Sequence, residues 1–141
     1  MKALEEDYRW MKLALEEAQA AMPYDVPVGA LVLNERRELL SKTHNRREEL
    51  RRISGHAEIL ALDEAAQLVG DWRLEGCILY VTLEPCAMCM GAILQSRLSK
   101  VVFGAFDDKQ SNIKPFKGKL QIVGGVMEEE CSQLLKTFFR S

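Results

Sequence analysis

The hydrophobic positions of the N-terminal segment recur with helical spacing and then change to runs typical of strands. The apolar residues at helical spacing are Leu4, Tyr8, Met11, Leu15, Ala18 and Met22. They predict an amphipathic helix that begins among acidic residues and ends at Pro23. Residues 26–33 then predict a buried strand, and residues 38–43 predict its hairpin partner across a polar turn at Asn34 and Glu35.

The rest of the chain predicts strands and helices in alternation. Ser54 can cap a helix over residues 55–68, for which Gly70 is a stop signal. The later segments predict a strand at 77–83, a nearly all-apolar helix at 86–96 opened by Pro85, strands at 100–105 and 120–123, and an amphipathic helix at 127–139. We therefore expect an α/β fold, a three-layer α/β/α sandwich around a five-stranded mixed sheet.

Composition limits the class of protein. The chain has 141 residues, 48% of them hydrophobic, which suits one compact domain over residues 1–141. No apolar run approaches the length of a membrane span, and the acidic, helical N-terminal residues do not resemble a signal peptide. We therefore expect a soluble cytoplasmic protein with no membrane partner. The net charge of −2 argues against a general electrostatic nucleic-acid binder but allows a local basic surface.

Two short motifs supply candidate chemistry: His-Ala-Glu at residues 56–58 and Pro-Cys-Ala-Met-Cys at residues 85–89. Each lies where a strand or loop leads into a predicted helix. Because His56 and Glu58 are two residues apart, they converge only on a group beyond the N-terminal end of their helix. Cys86 and Cys89 are three residues apart and face one side of a first turn. The spacing therefore predicts one zinc ion held between two helix N-termini.

The types of ligand indicate a catalytic metal. One imidazole and two thiolates leave a tetrahedral zinc with one position for water, as in catalytic zinc sites. Bound zinc lowers the pKa of water from about 15.7 to about 7, although two thiolates weaken this effect and the helix N-termini partly restore it. Glu58 is the candidate proton carrier, from water to a ring nitrogen and a departing amine. The predicted reaction is a hydrolytic deamination.

Either motif alone has other interpretations. A Cys-x-x-Cys pair is also typical of a redox site or of half a structural zinc site, and His-Ala-Glu alone carries little information. A structural four-ligand site would need a further ligand, and His44, Cys77 and Cys131 lack the spacing for it. We expect Cys77 and Cys131 to be buried thiols, since both lie in apolar segments. The two motifs together predict a catalytic zinc site.

With these motifs the chain resembles the cytidine deaminase-like superfamily, and within it the tRNA adenosine deaminases of the TadA type. The similarity covers almost the whole chain. It is carried by Val26-Pro27-Val28-Gly29-Ala30, Asn45-Arg46, His56-Ala57-Glu58-Ile59, Tyr80-Val81-Thr82-Leu83-Glu84-Pro85-Cys86, Val101-Val102-Phe103-Gly104-Ala105, Glu130-Cys131 and Phe138-Phe139-Arg140. The His-x-Glu and Pro-Cys-x-x-Cys elements form the signature of the zinc deaminases.

The resemblance implies a role for each matching residue. His56, Cys86 and Cys89 would bind zinc, and Glu58 would be the acid and base. The residues implied to serve the substrate are Asn45 (a hydrogen bond to the nucleotide), Val28 (a wall of the base pocket), Ala57 (its backbone N–H), and Asp25 and Asp107 (positions near the entering strand). The resemblance also implies a homodimer with RNA lying across the interface, which the apolar helix at 86–96 would suit.

Three functions fit these observations. The first is conversion of adenosine to inosine at the wobble position of a tRNA anticodon loop, where extrusion of the base breaks no pair. The second is deamination of a free nucleobase or nucleoside of the guanine or cytosine type. Two departures from the TadA pattern would suit it: the loop after Asp107 is short, and Phe106 stands where TadA proteins often have an arginine. The third is a non-catalytic zinc-bearing subunit, against which Glu58 argues.

Two basic groups bear on the choice between these functions. They are Arg46, Arg47, Arg51 and Arg52 before the catalytic helix, and Lys109, Lys114, Lys117 and Lys119 beyond Asp107. Either group could contact phosphates. The alternative is an ordinary solvated surface, since Glu48 and Glu49 interrupt the first group.

Overall fold

A computed structural model describes residues 2–107 and 120–140 of the chain. The elements within these ranges are α1 (Glu5–Gln19), β1 (Gly29–Leu33), β2 (Leu39–His44), α2 (Arg47–Leu50), α3 (Ala57–Val69), β3 (Ile78–Leu83), α4 (Ala87–Gln95), β4 (Lys100–Ala105), β5 (Gln121–Val123) and α5 (Glu128–Arg140). The short loop after Asp107 and the second basic group, with Lys109, Lys114, Lys117 and Lys119, lie outside the described residues. None of the helices described is long and apolar enough to cross a bilayer.

The strands form one mixed sheet in the order β2-β1-β3-β4-β5. β1 pairs antiparallel with both β2 and β3, whereas β3–β4 and β4–β5 are parallel pairs. In β1, Ala30 and Val32 face one core cluster and Leu31 and Leu33 face the other, as expected when both faces of a sheet are buried.

Helices cover the two faces of this sheet. Residues of α3 and α4 join the core cluster on one face, among them Ala61, Met90 and Ile93, and residues of α1 and α5 join the other, among them Met11 and Cys131. The predicted three-layer α/β/α sandwich with a five-stranded mixed sheet is therefore confirmed. Cys77 and Cys131 are both buried, and burial raises the pKa of each thiol, so they are core residues as predicted.

The edge strand β2 holds α3 against the sheet through hydroxyl groups. Ser41 Oγ donates a hydrogen bond to the carbonyl of Ala61 at 2.8 Å, and Thr43 Oγ1 donates to the carbonyl of Ala57 at 2.7 Å. The helix face beneath consists of small residues, with Ala57, Ala61 and Ala65 all fully buried. These hydrogen bonds fix the start of α3, which carries His56 and Glu58.

Several boundaries differ from the predicted ones. α3 begins at Ala57 with His56 as its N-cap, so Ser54 is not the cap; the oxygen that accepts the Ala57 N–H comes from Asn45, far away in sequence. β1 begins only at Gly29, because the N–H of Val28 bonds back to the carbonyl of Val26 rather than to a neighbouring strand. The polar segment before α3 also contains the short helix α2.

Gly29 allows the close contact of β1 with α1. A Cβ atom at this position would lie 2.0 Å from the carbonyl oxygen of Ala14 and 2.7 Å from the backbone nitrogen of Ala18. Backbone atoms cannot move aside as a flexible side chain can. We therefore expect Gly29→Ala to lower the free energy of unfolding by about 3 kcal/mol, measured by urea denaturation. An unchanged urea midpoint would contradict this close packing of α1 on β1.

Candidate active site and metal centre

Three side chains meet between the N-terminal ends of α3 and α4. Nδ1 of His56 lies 3.8 Å from Sγ of Cys86 and 3.6 Å from Sγ of Cys89, and all three atoms lie within 4.8 Å of one another. His56 is the N-cap of α3, Cys86 is the N-cap of α4, and Cys89 lies in the first turn of α4. The two helix N-termini therefore converge on one point, as the spacing predicts.

These distances test whether a zinc ion fits the group. With Zn–S bonds of about 2.3 Å and Zn–N bonds of about 2.05 Å, tetrahedral geometry separates a sulfur from a nitrogen ligand by about 3.6 Å. The two measured N–S distances, 3.8 and 3.6 Å, agree with this value. Two thiolates and an imidazole are also a donor set that zinc prefers. The residues present therefore fit a single zinc ion.

The protonation of the three ligands is coupled. Hydrogen bonds from Cys89 and His56 lower the pKa of Cys86 to about 3, and the interaction with Cys86 raises the pKa of His56. The pKa of Cys89 is raised, because its thiol donates to Cys86 and because it is buried. Among the protein groups alone, the site thus favours one thiolate beside one imidazolium. A divalent cation would stabilise the second thiolate in place of these protons.

Glu58 lies in the first turn of α3, two residues beyond His56, and only 4% of its surface is exposed. Burial raises the pKa of its carboxyl to about 7, because the charged form loses its contact with water. Its oxygens do not belong to the group of atoms that could hold a metal ion. A carboxyl with a pKa near neutrality can both accept and donate a proton, which is the property that a general acid and base requires.

Two of the three ligands, His56 and Cys86, border a cavity of about 150 Å³ together with Glu58. Six of the residues predicted from the sequence line it, namely Val28, Asn45, His56, Glu58, Cys86 and Asp107. Cys89 lies behind these residues and is fully buried. The structure therefore brings together most of the predicted site, from the start of β1, the end of β2, two helix N-termini and the end of β4.

Asn45 and Ala57 are bonded to each other. The side-chain oxygen of Asn45 accepts the N–H of Ala57 at 2.8 Å, and its side-chain nitrogen donates to the carbonyl of Val26 at 3.0 Å. The N–H that the resemblance assigns to the substrate thus has an acceptor inside the chain. Asn45 orients the start of α3 while it lines the cavity.

Asp25 does not line the cavity and is 5% exposed. Its carboxylate accepts the backbone N–H of Glu48 at 3.2 Å, so it supports the first turn of α2. The resemblance alone placed it near the entering strand. In the structure it lies behind the segment that borders the cavity.

Two charged residues of the cavity wall, Arg47 and Glu84, were not among the predicted site residues. Arg47, the first residue of α2, lines the cavity, and its charge acts to lower the pKa of His56 against the larger opposite effect of Cys86. Glu84 is 4% exposed and accepts the backbone N–H of Asp107 at 3.1 Å. The sequence signals for them were the arginine-rich segment and the Glu-Pro-Cys run, but neither signal identifies an individual side chain.

Comparisons with known proteins agree with this geometry. Residues 4–105 match the family described as the cytidine and deoxycytidylate deaminase zinc-binding region. A tRNA-specific adenosine deaminase of Bacillus subtilis is 47% identical over 96% of this chain and 89% of its own length, and one of Aquifex aeolicus is 48% identical over 93% and 92%. The predicted zinc requirement is thus confirmed for the family.

Solved structures give the same result. A chain from a study of A-to-I editing by tRNA:A34 deaminases at the wobble position of transfer RNA superposes with a TM-score of 0.83, at 32% identity over 89% of this chain and 98% of that chain. Guanine deaminase from Nitrosomonas europaea has the same fold, with a TM-score of 0.88 at 24% identity over 99% of this chain and 88% of that chain. The chain therefore belongs to the zinc-binding cytidine and deoxycytidylate deaminase family, and within it to the group of the tRNA-specific adenosine deaminases.

Proposed function

We propose that this protein is a zinc-dependent deaminase that converts adenosine to inosine at the wobble position of a tRNA anticodon loop, releasing ammonia. The observation that carries the proposal is a group of three zinc-type ligand atoms at a cavity that is lined by two of the ligands, His56 and Cys86, and by the buried carboxyl of Glu58. The substrate is supported by relatives named tRNA-specific adenosine deaminase that are 47% and 48% identical over almost their whole length.

In this proposal His56, Cys86 and Cys89 hold one zinc ion. Zinc, when bound there, lowers the pKa of water enough to make it a nucleophile near neutral pH. The Glu58 carboxylate accepts the proton of the attacking water and delivers it to N1 of the adenine ring. It then accepts the proton of the hydroxyl that has been added at C6 and gives it to the amine as the C6–N bond breaks, so that adenosine and water become inosine and ammonia. The pKa of about 7, raised by burial, suits both steps.

The remaining predicted residues act on the substrate directly or through the chain. Val28 forms an apolar wall for the base, and Asn45 and Asp107 border the same cavity. Ala57 acts through Asn45, to which its N–H is bonded, and Asp25 acts through α2. We further propose that residues 1–141 form a single deaminase domain acting in the cytoplasm. The support for one domain is the single sheet that both core clusters share.

The direct test measures ammonia release and product mass with the zinc-loaded protein. The substrates are an anticodon stem-loop with a wobble adenosine, single-stranded RNA controls, and free bases and nucleosides. A mass increase of about one dalton confined to the stem-loop adenosine supports the proposal. Turnover of a free base or nucleoside, with the stem-loop unchanged, would keep the zinc chemistry and replace the substrate.

We also propose that the protein forms a homodimer through α3 and α4. One side of α4 is open: Met88 is 40% exposed, and a Cβ atom at Gly91 would meet no atom within 4 Å. Ala92, one turn beyond Met88, lines a groove of about 380 Å³ between α3 and α4, beside the half-exposed Trp72. Apolar surface of this kind is typical of an interface, and two-fold dimers are the commonest assemblies.

Gly91→Leu is expected to convert the dimer to a monomer in light scattering at micromolar concentration. The side chain would enter space that a partner helix needs, whereas within the chain its Cβ atom would meet no atom within 4 Å. It should also strengthen the helix by about 0.8 kcal/mol, so thermal unfolding verifies that the monomer is folded. Gln19→Leu, on the exposed end of α1, is the matched control and should remain dimeric. A dimeric Gly91→Leu variant would contradict this interface.

A further inference from the structure

Arg47 is the cationic side chain outside the zinc ligands that lines the active-site cavity in the part of the chain that the structure describes. The other arginines of its segment do not line the cavity, and Arg46 is paired with Glu49. Within residues 2–107 and 120–140, no carboxylate forms an ion pair with Arg47. Its charge is therefore available at the mouth of the cavity.

The backbone of Arg47 is held from two sides. On one side, the N–H of the next residue, Glu48, bonds to the carboxylate of Asp25 at 3.2 Å. On the other side, a Cβ atom at Gly55 would lie 2.9 Å from Cα of Arg47, and the N–H of Arg46 donates to the carbonyl of Gly55 at 2.8 Å. The close contact at Gly55 and the hydrogen bond that Asp25 accepts both fix the backbone position from which the guanidinium side chain extends. Arg47 is thus positioned next to the cavity by two separate segments.

The chemistry of the substrate identifies a partner for this charge. An adenine base and its ribose are neutral, so neither requires a cation at the cavity mouth. The phosphodiesters on either side of a nucleotide are anionic, and a guanidinium binds phosphate oxygens through two parallel hydrogen bonds. The other ionisable side chains that line the cavity, apart from the zinc ligands, are the acidic Glu58, Glu84 and Asp107, so Arg47 is the lining residue suited to an anionic group.

We infer that Arg47 binds a phosphate flanking the target nucleotide, and that the site thereby selects a nucleotide within a strand over a free base or nucleoside. The inference rests on the proposed function, because it takes the target to be an adenosine in RNA. Arg47 orients the strand so that the extruded base enters the cavity. This phosphate contact lies next to the reacting base and therefore differs from general electrostatic binding of RNA by charges over the protein surface.

The test combines a variant with a substrate that lacks one charge. Anticodon stem-loops are prepared with a neutral methylphosphonate at one or the other phosphate flanking the wobble adenosine. Arg47→Ala is expected to lower kcat/KM on the unmodified stem-loop by about 10- to 100-fold, the range for loss of a charge-assisted hydrogen bond. One of the two methylphosphonates should lower kcat/KM of the wild type by a similar factor. That same methylphosphonate should have no further effect on Arg47→Ala.

Two controls separate this contact from a general loss of charge or fold. Arg36→Ala removes an exposed arginine at the β1–β2 turn, at the opposite end of β1 from Asn45, and should stay within about twofold of wild type. Arg47→Lys keeps the positive charge but cannot form the two parallel hydrogen bonds of a guanidinium, and it should retain part of the activity. Zinc content and thermal unfolding of every variant should match the wild type, since Arg47 is exposed.

The outcomes are distinct. The phosphate contact is wrong, while the proposed function stands, if Arg47→Ala keeps wild-type kcat/KM. It is also wrong if each of the two methylphosphonates lowers kcat/KM of Arg47→Ala by the same factor as it lowers that of the wild type. If the wild type leaves the stem-loop unchanged and deaminates a free base or nucleoside, both proposals fall together.

Discussion

Glu58→Gln should lower kcat on the anticodon stem-loop by about 100- to 10,000-fold, the range for removal of a general acid and base. The amide has nearly the shape of the carboxyl but cannot accept and return a proton. Because Glu58 is buried and the charged form is disfavoured there, a neutral side chain is compatible with the fold. The variant should therefore retain zinc and unfold at a temperature close to that of the wild type.

Glu64→Gln is the matched control for this result. Glu64 belongs to the same helix α3 but is exposed, and the same change there should leave kcat within about twofold. Zinc content is measured by atomic emission and turnover by inosine formation. Glu58→Gln with wild-type turnover would refute the mechanism. Loss of both zinc and turnover would assign Glu58 to the metal site instead of proton transfer.

The second large effect is expected for the buried thiol ligand. Cys89→Ala removes one of three zinc ligands, and we expect loss of bound zinc together with a decrease in kcat of more than about 100-fold, since loss of a residue that only hydrogen-bonds to a ligand already reaches that factor. The wild type should also be stabilised by added zinc, because a ligand that binds the native state raises its unfolding free energy. The Cys89→Ala variant should lack this response in a thermal melt.

Cys77→Ala separates the loss of a ligand from the loss of a buried sulfur. Cys77 is buried in the core and lies apart from the three ligand atoms. This variant should keep one zinc per chain, near-normal turnover and the stabilisation by zinc, with a cost of about 1 kcal/mol in unfolding free energy. One tightly bound zinc in Cys89→Ala would show that the ion is held elsewhere.

The metal ligands could be predicted from the sequence because the information is local. Two residues within a four-residue stretch, Cys86 and Cys89, share one side of a helix turn in any α-helix, and an N-cap position such as His56 points beyond the helix end. The order and type of the long elements were equally accessible, because their apolar periodicity extends over many residues. Alternation of strands with helices then predicts a mixed sheet covered on both faces, whereas the order of its strands comes from the structure.

The residues that hold the site in position could not be predicted from the sequence, because they act through contacts between distant segments. The pattern around Ser54 predicts a cap, but the oxygen at the start of α3 comes from Asn45 at the end of β2. Asp25 carries a charge suited to the surface, and only the position of α2 shows that it is buried behind that helix. Arg47 is one of several arginines in sequence, and only the folded chain separates it from the others.

The hydroxyl contacts between β2 and α3 depend on a match of lengths. Ser41 and Thr43 are two residues apart on a strand and span about 6.7 Å, while their acceptors on Ala61 and Ala57 are four residues apart on a helix and span about 6.0 Å. An alanine surface has no protrusions that would stop a helix from sliding along its own axis. Because the two-residue spacing on β2 matches the four-residue spacing on α3, a displacement of α3 by one residue would break both hydrogen bonds. The edge strand therefore sets the distance between the imidazole of His56 and the thiols of α4.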